Sequence, residues 1–65
     1  MKLIVNGEPV ETERLVLAEL LDQLGFGSTV VATAVNGSFV PVSRRSETGL
    51  KDGDTVEVLA PMQGG

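Results

Sequence analysis

Few side chains in this 65-residue chain can do chemistry, since it contains no histidine, cysteine, tyrosine or tryptophan. Proton transfer or nucleophilic attack would fall to scattered carboxylates and to Lys2 and Lys51, and no spacing gathers these into a paired constellation. Asp52-Gly53-Asp54 has the composition of a calcium loop but lacks the further acidic ligands and the distal glutamate, so it reads as a turn. Arg44-Arg45 is the one basic cluster, either a solvated piece of loop or a partner contact. What remains is a main-chain group. The sequence closes on Ala60-Pro61-Met62-Gln63-Gly64-Gly65, with a carboxylate at Gly65. Six residues past Leu59 extend at most about 20 Å, enough to carry that carboxylate into another protein's active site. Gly64 and Gly65 have no Cβ and suit a channel too narrow for side chains. A frayed terminus is the alternative reading of the same residues.

Composition sets the frame for such a tail. A chain of this length is a single small domain near the lower limit for folding unaided, and without cysteine neither a disulfide nor a thiolate-bound metal can assist it. A hydrophobic content of 42% with 22% charged residues fits a globular domain rather than a disordered one. The net charge of −4 argues against nucleic acid, which would call for a basic stripe. No apolar run is long enough to span a bilayer and no signal-peptide pattern opens the chain, so a cytoplasmic protein is expected.

The elements that must position the tail follow from hydrophobic period and turn chemistry. Lys2-Leu3-Ile4-Val5 and Glu8-Pro9-Val10-Glu11 flank Asn6-Gly7, the pair that a type I′ hairpin favours because both central residues need positive φ. A two-residue loop sets Leu3 opposite Val10 and Lys2 opposite Glu11, and Pro9 places the second strand at an edge. Residues 15–24 change to helical period, with Val16, Leu17, Leu20, Leu21 and Leu24 on one face. Gly25 and Phe26 make a Schellman ending in which Phe26 packs back on Leu21. The helix start carries no adjacent hydroxyl cap, Thr12 being the nearest candidate. Residues 30–35 read as a third strand, Asn36-Gly37 as a second I′ turn, and Ser38-Phe39-Val40 as a return strand ended by Pro41. Residues 42–48 read as polar, irregular loop. Thr55-Val56-Glu57-Val58-Leu59 alternates as the final strand, and Pro61 marks where sheet pairing stops. One helix between two hairpins covers one face of a single sheet. The first and last strands are the most apolar and belong side by side at its centre, as a parallel pair. That is an α+β, β-grasp (ubiquitin-like) arrangement: a mixed sheet of four to five strands, a domain over residues 1–59 and a flexible tail over 60–65.

Three stretches taken together resemble the small sulfur-carrier family of thiamin biosynthesis: Ala34-Val35-Asn36-Gly37 with Val40-Pro41, Leu50-x-Asp52-Gly53-Asp54-x-Val56-Glu57-Val58, and Gly64-Gly65. Ala18 to Leu21 is similar to the family's helix, and the related small subunit of molybdopterin synthase is usually longer. The chain departs from the family's pattern at Val16, where a small hydroxyl residue is common, and at Val42-Ser43-Arg44-Arg45, where arginine followed by acidic and aromatic residues is common. The resemblance implies a carrier with no bound cofactor, not an enzyme. A partner adenylyltransferase resembling the ubiquitin-activating enzymes would use ATP to adenylate Gly65. A sulfur donor protein would then convert the acyl-adenylate to a thiocarboxylate for thiazole synthase. Alternatives are a carrier for molybdopterin or another sulfur-requiring pathway, a ubiquitin-like modifier joined to lysine amines, and a plain β-grasp binding module.

Alternation also suggests a docking surface. Leu3, Val5 and Val10 share one face of the first hairpin and leave Ile4 on the other, while Val56 and Val58 face the helix and leave Leu59 opposite. With Val35 and Val40 in the core, Phe39, paired with Ala34, joins Ile4 and Leu59 on the open face. With Phe39 open, Ile4, Phe39 and Leu59 form a platform for the activating enzyme and the sulfur acceptor. Met62, Gln63 and Gly64 then contact the partner, and residues 63–65 are expected to order only there.

Overall fold

A computed structural model describes residues 1–27 and 29–60. Its elements are β1 (Lys2–Val5), β2 (Glu8–Glu11), α1 (Leu17–Gln23), β3 (Ala32–Val35), β4 (Ser38–Val40), a 3₁₀ helix (Val42–Glu47) and β5 (Thr55–Leu59). The five strands form one sheet in the order β2-β1-β5-β3-β4, with β1 and β5 parallel and the other pairs antiparallel. This is the expected β-grasp arrangement, with the two most apolar strands adjacent at its centre. Both hairpins turn on the Asn-Gly pairs, where Asn6 and Asn36 each have φ of 51° and Gly7 and Gly37 have φ of 84° and 85°. The register of the first hairpin sets Leu3 against Val10 and Lys2 against Glu11, as a two-residue loop requires.

The core lies between α1 and one sheet face. Leu17, Leu20 and Leu21 pack with Leu3, Val5, Val31, Val40, Leu50, Val56 and Val58, all buried. Val10, Leu24, Val35 and Phe26 close its rim. The helix ends in the Schellman pattern, Phe26 N–H donating to the Leu21 carbonyl at 2.8 Å and Gly25 N–H to that of Asp22 at 3.2 Å, with Gly25 at φ +90°. Among the described residues no helix is long and apolar enough to cross a membrane.

Three boundaries differ from the sequence reading. The helix spans Leu17–Gln23 rather than 15–24, because residues 15 and 16 are drawn into an extended pairing with the segment before Leu50. Leu50 N–H donates to the Leu15 carbonyl and Leu17 N–H to that of Thr48, both at 2.9 Å, so a distant carbonyl serves where a side-chain cap would stand. Thr12 does not cap the helix start; its hydroxyl donates to Gln23 Oε1 at the other end of α1. The third strand begins at Ala32, leaving Val30 exposed. Residues 42–47 form a 3₁₀ helix rather than an irregular loop. Arg45 ties that helix to β3, its Nε donating to Thr33 Oγ1 at 3.1 Å and its Nη2 to the Val31 carbonyl at 2.5 Å.

Candidate functional site

The final strand carries the tail, and the fold grips it at both ends. At its start, Asn36 N–H donates to the Thr55 carbonyl at 2.7 Å, and Asn36 Oδ1 accepts from Thr55 N–H at 2.9 Å. Asn36 Nδ2 donates to Asp54 Oδ1 at 2.9 Å, while Lys51 N–H donates to Asp54 Oδ2 at 2.8 Å. These donors, Asn36 first, hold the buried Asp54 carboxyl below the usual carboxylate range against the opposing effect of its burial. A carboxyl so held stabilises the fold at neutral pH, and that contribution is lost as pH falls through the lowered pKa. Asp52 Oδ1 accepts from Lys2 N–H at 2.7 Å. The two acidic side chains of Asp52-Gly53-Asp54 therefore serve protein donors, and the segment is a turn, with Gly53 at φ +91°.

At its far end β5 outlasts β1, which turns away at Asn6-Gly7. There the Asn6 side chain substitutes for a strand neighbour: its Oδ1 accepts from Val58 N–H at 2.8 Å and its Nδ2 donates to the Val58 carbonyl at 3.0 Å. On the opposite side β3 pairs through Ala32 with Leu59. The strand is thus held on both sides up to the residue from which the tail departs. Sequence reasoning took Asn6 and Asn36 only as turn formers and missed that each also bonds β5. The available signal was the amide itself, because aspartate at either position would lack a donor.

Ile4, Phe39 and Leu59 all lie on the face opposite α1. Phe39 and Leu59 are 69% and 65% exposed, so Phe39 is not a core residue, and Ile4 is half-buried. Phe39 pairs with Ala34, Ala34 with Glu57, and Leu59 with Ala32, so small residues of β3 separate the two large ones. Ile4 stands in the row of Thr55, and three strand spacings, about 14 Å, separate β1 from β4. Phe39 and Leu59 therefore share one half of the sheet while Ile4 stands in the other. A shallow apolar depression lined by Val30, Val31, Ala32, Leu59 and Ala60 adjoins the root of the tail. A roomier depression lies elsewhere, at the end of the sheet remote from Leu59, around Met1, Glu11, Thr12, Glu13, Arg14 and Gln23. Its polar groups are largely committed to one another: the Met1 ammonium donates to the Thr12 carbonyl at 2.8 Å and Gln23 Nε2 to the Glu11 carbonyl at 3.3 Å.

Met62, Gln63, Gly64 and Gly65 lie outside the described residues, and so does the expectation that residues 63–65 order only on a partner. Of the two arginines, Arg45 is committed to β3, while Arg44 is exposed and, among the described residues, pairs with Glu47 at 3.8 Å. Among the described residues no group of three or more acidic, histidine or cysteine side chains is placed to hold a metal ion.

Comparison with known proteins places this architecture. The ThiS family model matches residues 3–65. The sulfur carrier protein ThiS of Thermus thermophilus is 39% identical over 61 residues, covering 94% of this chain and 95% of that one. A thiazole synthase of Paramagnetospirillum magneticum is 38% identical over 66 positions, which span all of this chain but only 20% of that protein. The crystal structure of the thiamine biosynthesis protein ThiS from Geobacter metallireducens superposes with a TM-score of 0.85 at 36% identity, each chain covered completely. Matched by the family model through Gly65 and almost end to end by a carrier of similar length, the chain belongs to the ThiS family of sulfur carrier proteins.

Proposed function

We propose that this protein carries sulfur for thiazole formation in thiamin biosynthesis, as a thiocarboxylate on Gly65, in the cytoplasm. A carboxylate is a poor electrophile. An adenylating partner joins it to AMP from ATP with loss of pyrophosphate, and hydrosulfide delivered by a donor protein then attacks the carbonyl and displaces AMP, leaving the thiocarboxylate. The chain supplies the electrophilic carbon and its delivery, and the partners supply the catalysis. With no cysteine in the sequence, no side-chain thiol is available to hold the sulfur instead.

The observation that carries this reading is the grip on β5. Hydrogen bonds from Asn6 and pairing with β3 fix the strand up to Leu59, so six residues separate a rigid root from the reacting carboxylate. A fixed root with a side-chain-free tip gives a defined reach of up to about 20 Å. Thiazole synthase is the acceptor we favour, because a protein of that name contains a segment similar to this entire chain. The open face, with Phe39 and Leu59 nearest the root of the tail and Ile4 beyond, is the surface that meets the partners, and Met62, Gln63 and Gly64 line the entrance to their active sites. The intact mass of the protein isolated from growing cells tests the reading. A species with one oxygen replaced by sulfur, confined to the C-terminal peptide, is expected. A protein found only as the free carboxylate, or only as heavier lysine conjugates, contradicts it.

A further inference from the structure

The open face holds one charge that its neighbours do not explain. Glu57 lies at the middle of β5, exposed, directly opposite Ala34, with Phe39 one strand further on. Thr55 and Leu59 flank it along its own strand on the same face. The ion pairs among the described residues are Met1 with Glu11 and Arg44 with Glu47, and neither involves Glu57. Lys2, the cation of this face, precedes Ile4 on β1, and Ile4 stands in the row of Thr55, so Lys2 is two rows from Glu57 along the strands. Phe39 and Leu59 flank Glu57 on two sides, so a partner that buries both of them also covers the carboxylate between. An anion desolvated without a partner is strongly unfavourable, whereas one that meets a cation in a water-poor setting gains both attraction and register.

We infer that Glu57 docks against a lysine or arginine on the face of thiazole synthase that receives this carrier, and that this pair fixes the angle at which the tail enters. The inference rests on thiazole synthase being the acceptor, as proposed above. It commits the docking footprint to the β5-β3-β4 half of the sheet, where two apolar side chains surround one charge, and assigns Ile4 to its margin. The bland reading of Glu57 is a charge that keeps an open sheet face soluble, and it makes a different prediction. A solubility charge can be inverted without cost to binding.

The experiment is a dissociation constant for the full chain with its cognate thiazole synthase, measured at low and high salt for the wild type, Glu57→Gln, Glu57→Lys and Glu19→Lys. Glu19 is exposed on α1, on the covered side of the sheet, so its variant carries the same change in net charge away from the footprint. Glu57→Gln is expected to weaken binding about tenfold and Glu57→Lys about a hundredfold, with Glu19→Lys within about twofold of the wild type. The salt dependence should flatten in Glu57→Gln. Circular dichroism checks folding, and if Glu57→Lys fails to fold the glutamine variant decides. Wild-type affinity in both Glu57 variants overturns the inference while leaving the acceptor reading intact. An equal loss in Glu19→Lys also overturns it, because net charge then suffices. A wild-type chain that does not bind thiazole synthase removes the acceptor reading and this inference with it.

Discussion

The two faces of the central sheet are built from alternate residues of the same strands and meet opposite surroundings. On β5, Val56 and Val58 are buried under α1, while Thr55, Glu57 and Leu59 are exposed on the other side. On β4, Val40 is buried and Phe39 is 69% exposed. The covered face is aliphatic apart from Thr33, whose hydroxyl donates to the Val40 carbonyl at 2.8 Å, and it holds the small domain together. The half of the open face formed by β5, β3 and β4 mixes alanine, the large apolar Phe39 and Leu59 and one carboxylate, Glu57, a composition suited to a surface that is covered only part of the time. The lesson is a division of labour at single-residue spacing, in which stability and recognition should respond to different substitutions on neighbouring positions.

That separation can be broken most severely from the core. Leu20 is fully buried, and Leu20→Ala should cost about 2–5 kcal/mol, comparable with the net stability of about 3–5 kcal/mol available to a domain of this size. Denaturant unfolding should find this variant largely unfolded at 37 °C; a stability within about 1 kcal/mol of the wild type would mean that the core is not where α1 meets the sheet. A smaller loss is expected at the root of the tail. Asn6→Gly keeps the positive φ of the turn but removes both bonds to Val58, which should cost about 1–2 kcal/mol and speed amide exchange at Val58. Unchanged protection of that amide would show that the side chain does not brace the strand. The smallest effect on stability belongs to the open face. Phe39→Asp should change unfolding free energy by no more than about 0.5 kcal/mol yet weaken binding to the adenylating enzyme. An unfolded variant would return Phe39 to the core, and normal binding would move the docking surface elsewhere.

Much of this organisation is legible in the sequence because it rests on local rules. Two Asn-Gly pairs specify two hairpins and their register, five apolar positions at helical spacing specify the helix, and alternation along β5 assigns its two faces. What escapes is set by distant partners. The start of α1 depends on the Thr48 carbonyl, which accepts from Leu17 N–H, and on Leu50 N–H, which donates to the Leu15 carbonyl, so no local cap announces it. The 3₁₀ helix is tied to β3 by Arg45, whose targets lie 12 and 14 residues away. At the candidate site, alternation places Ile4, Phe39 and Leu59 on one face, but only strand order reveals that β5 and β3 stand between the first and the second. The support that Asn6 gives to Val58 spans 52 residues of sequence and has no local signature.

The central claim is that a carboxylate at a fixed distance from a rigid strand is the working group. It is tested most directly by reconstituting the wild type, a chain lacking Gly65 and a chain with one alanine added after Gly65, each with the adenylating enzyme, ATP and a sulfur donor, and reading the intact mass. One residue displaces the reacting carbon by about 3.5 Å, more than positioned chemistry tolerates. The account predicts a thiocarboxylate on the wild type and none on either altered chain, with all three unfolding alike. Thiocarboxylate on the extended chain, with the added alanine still in place, would contradict it.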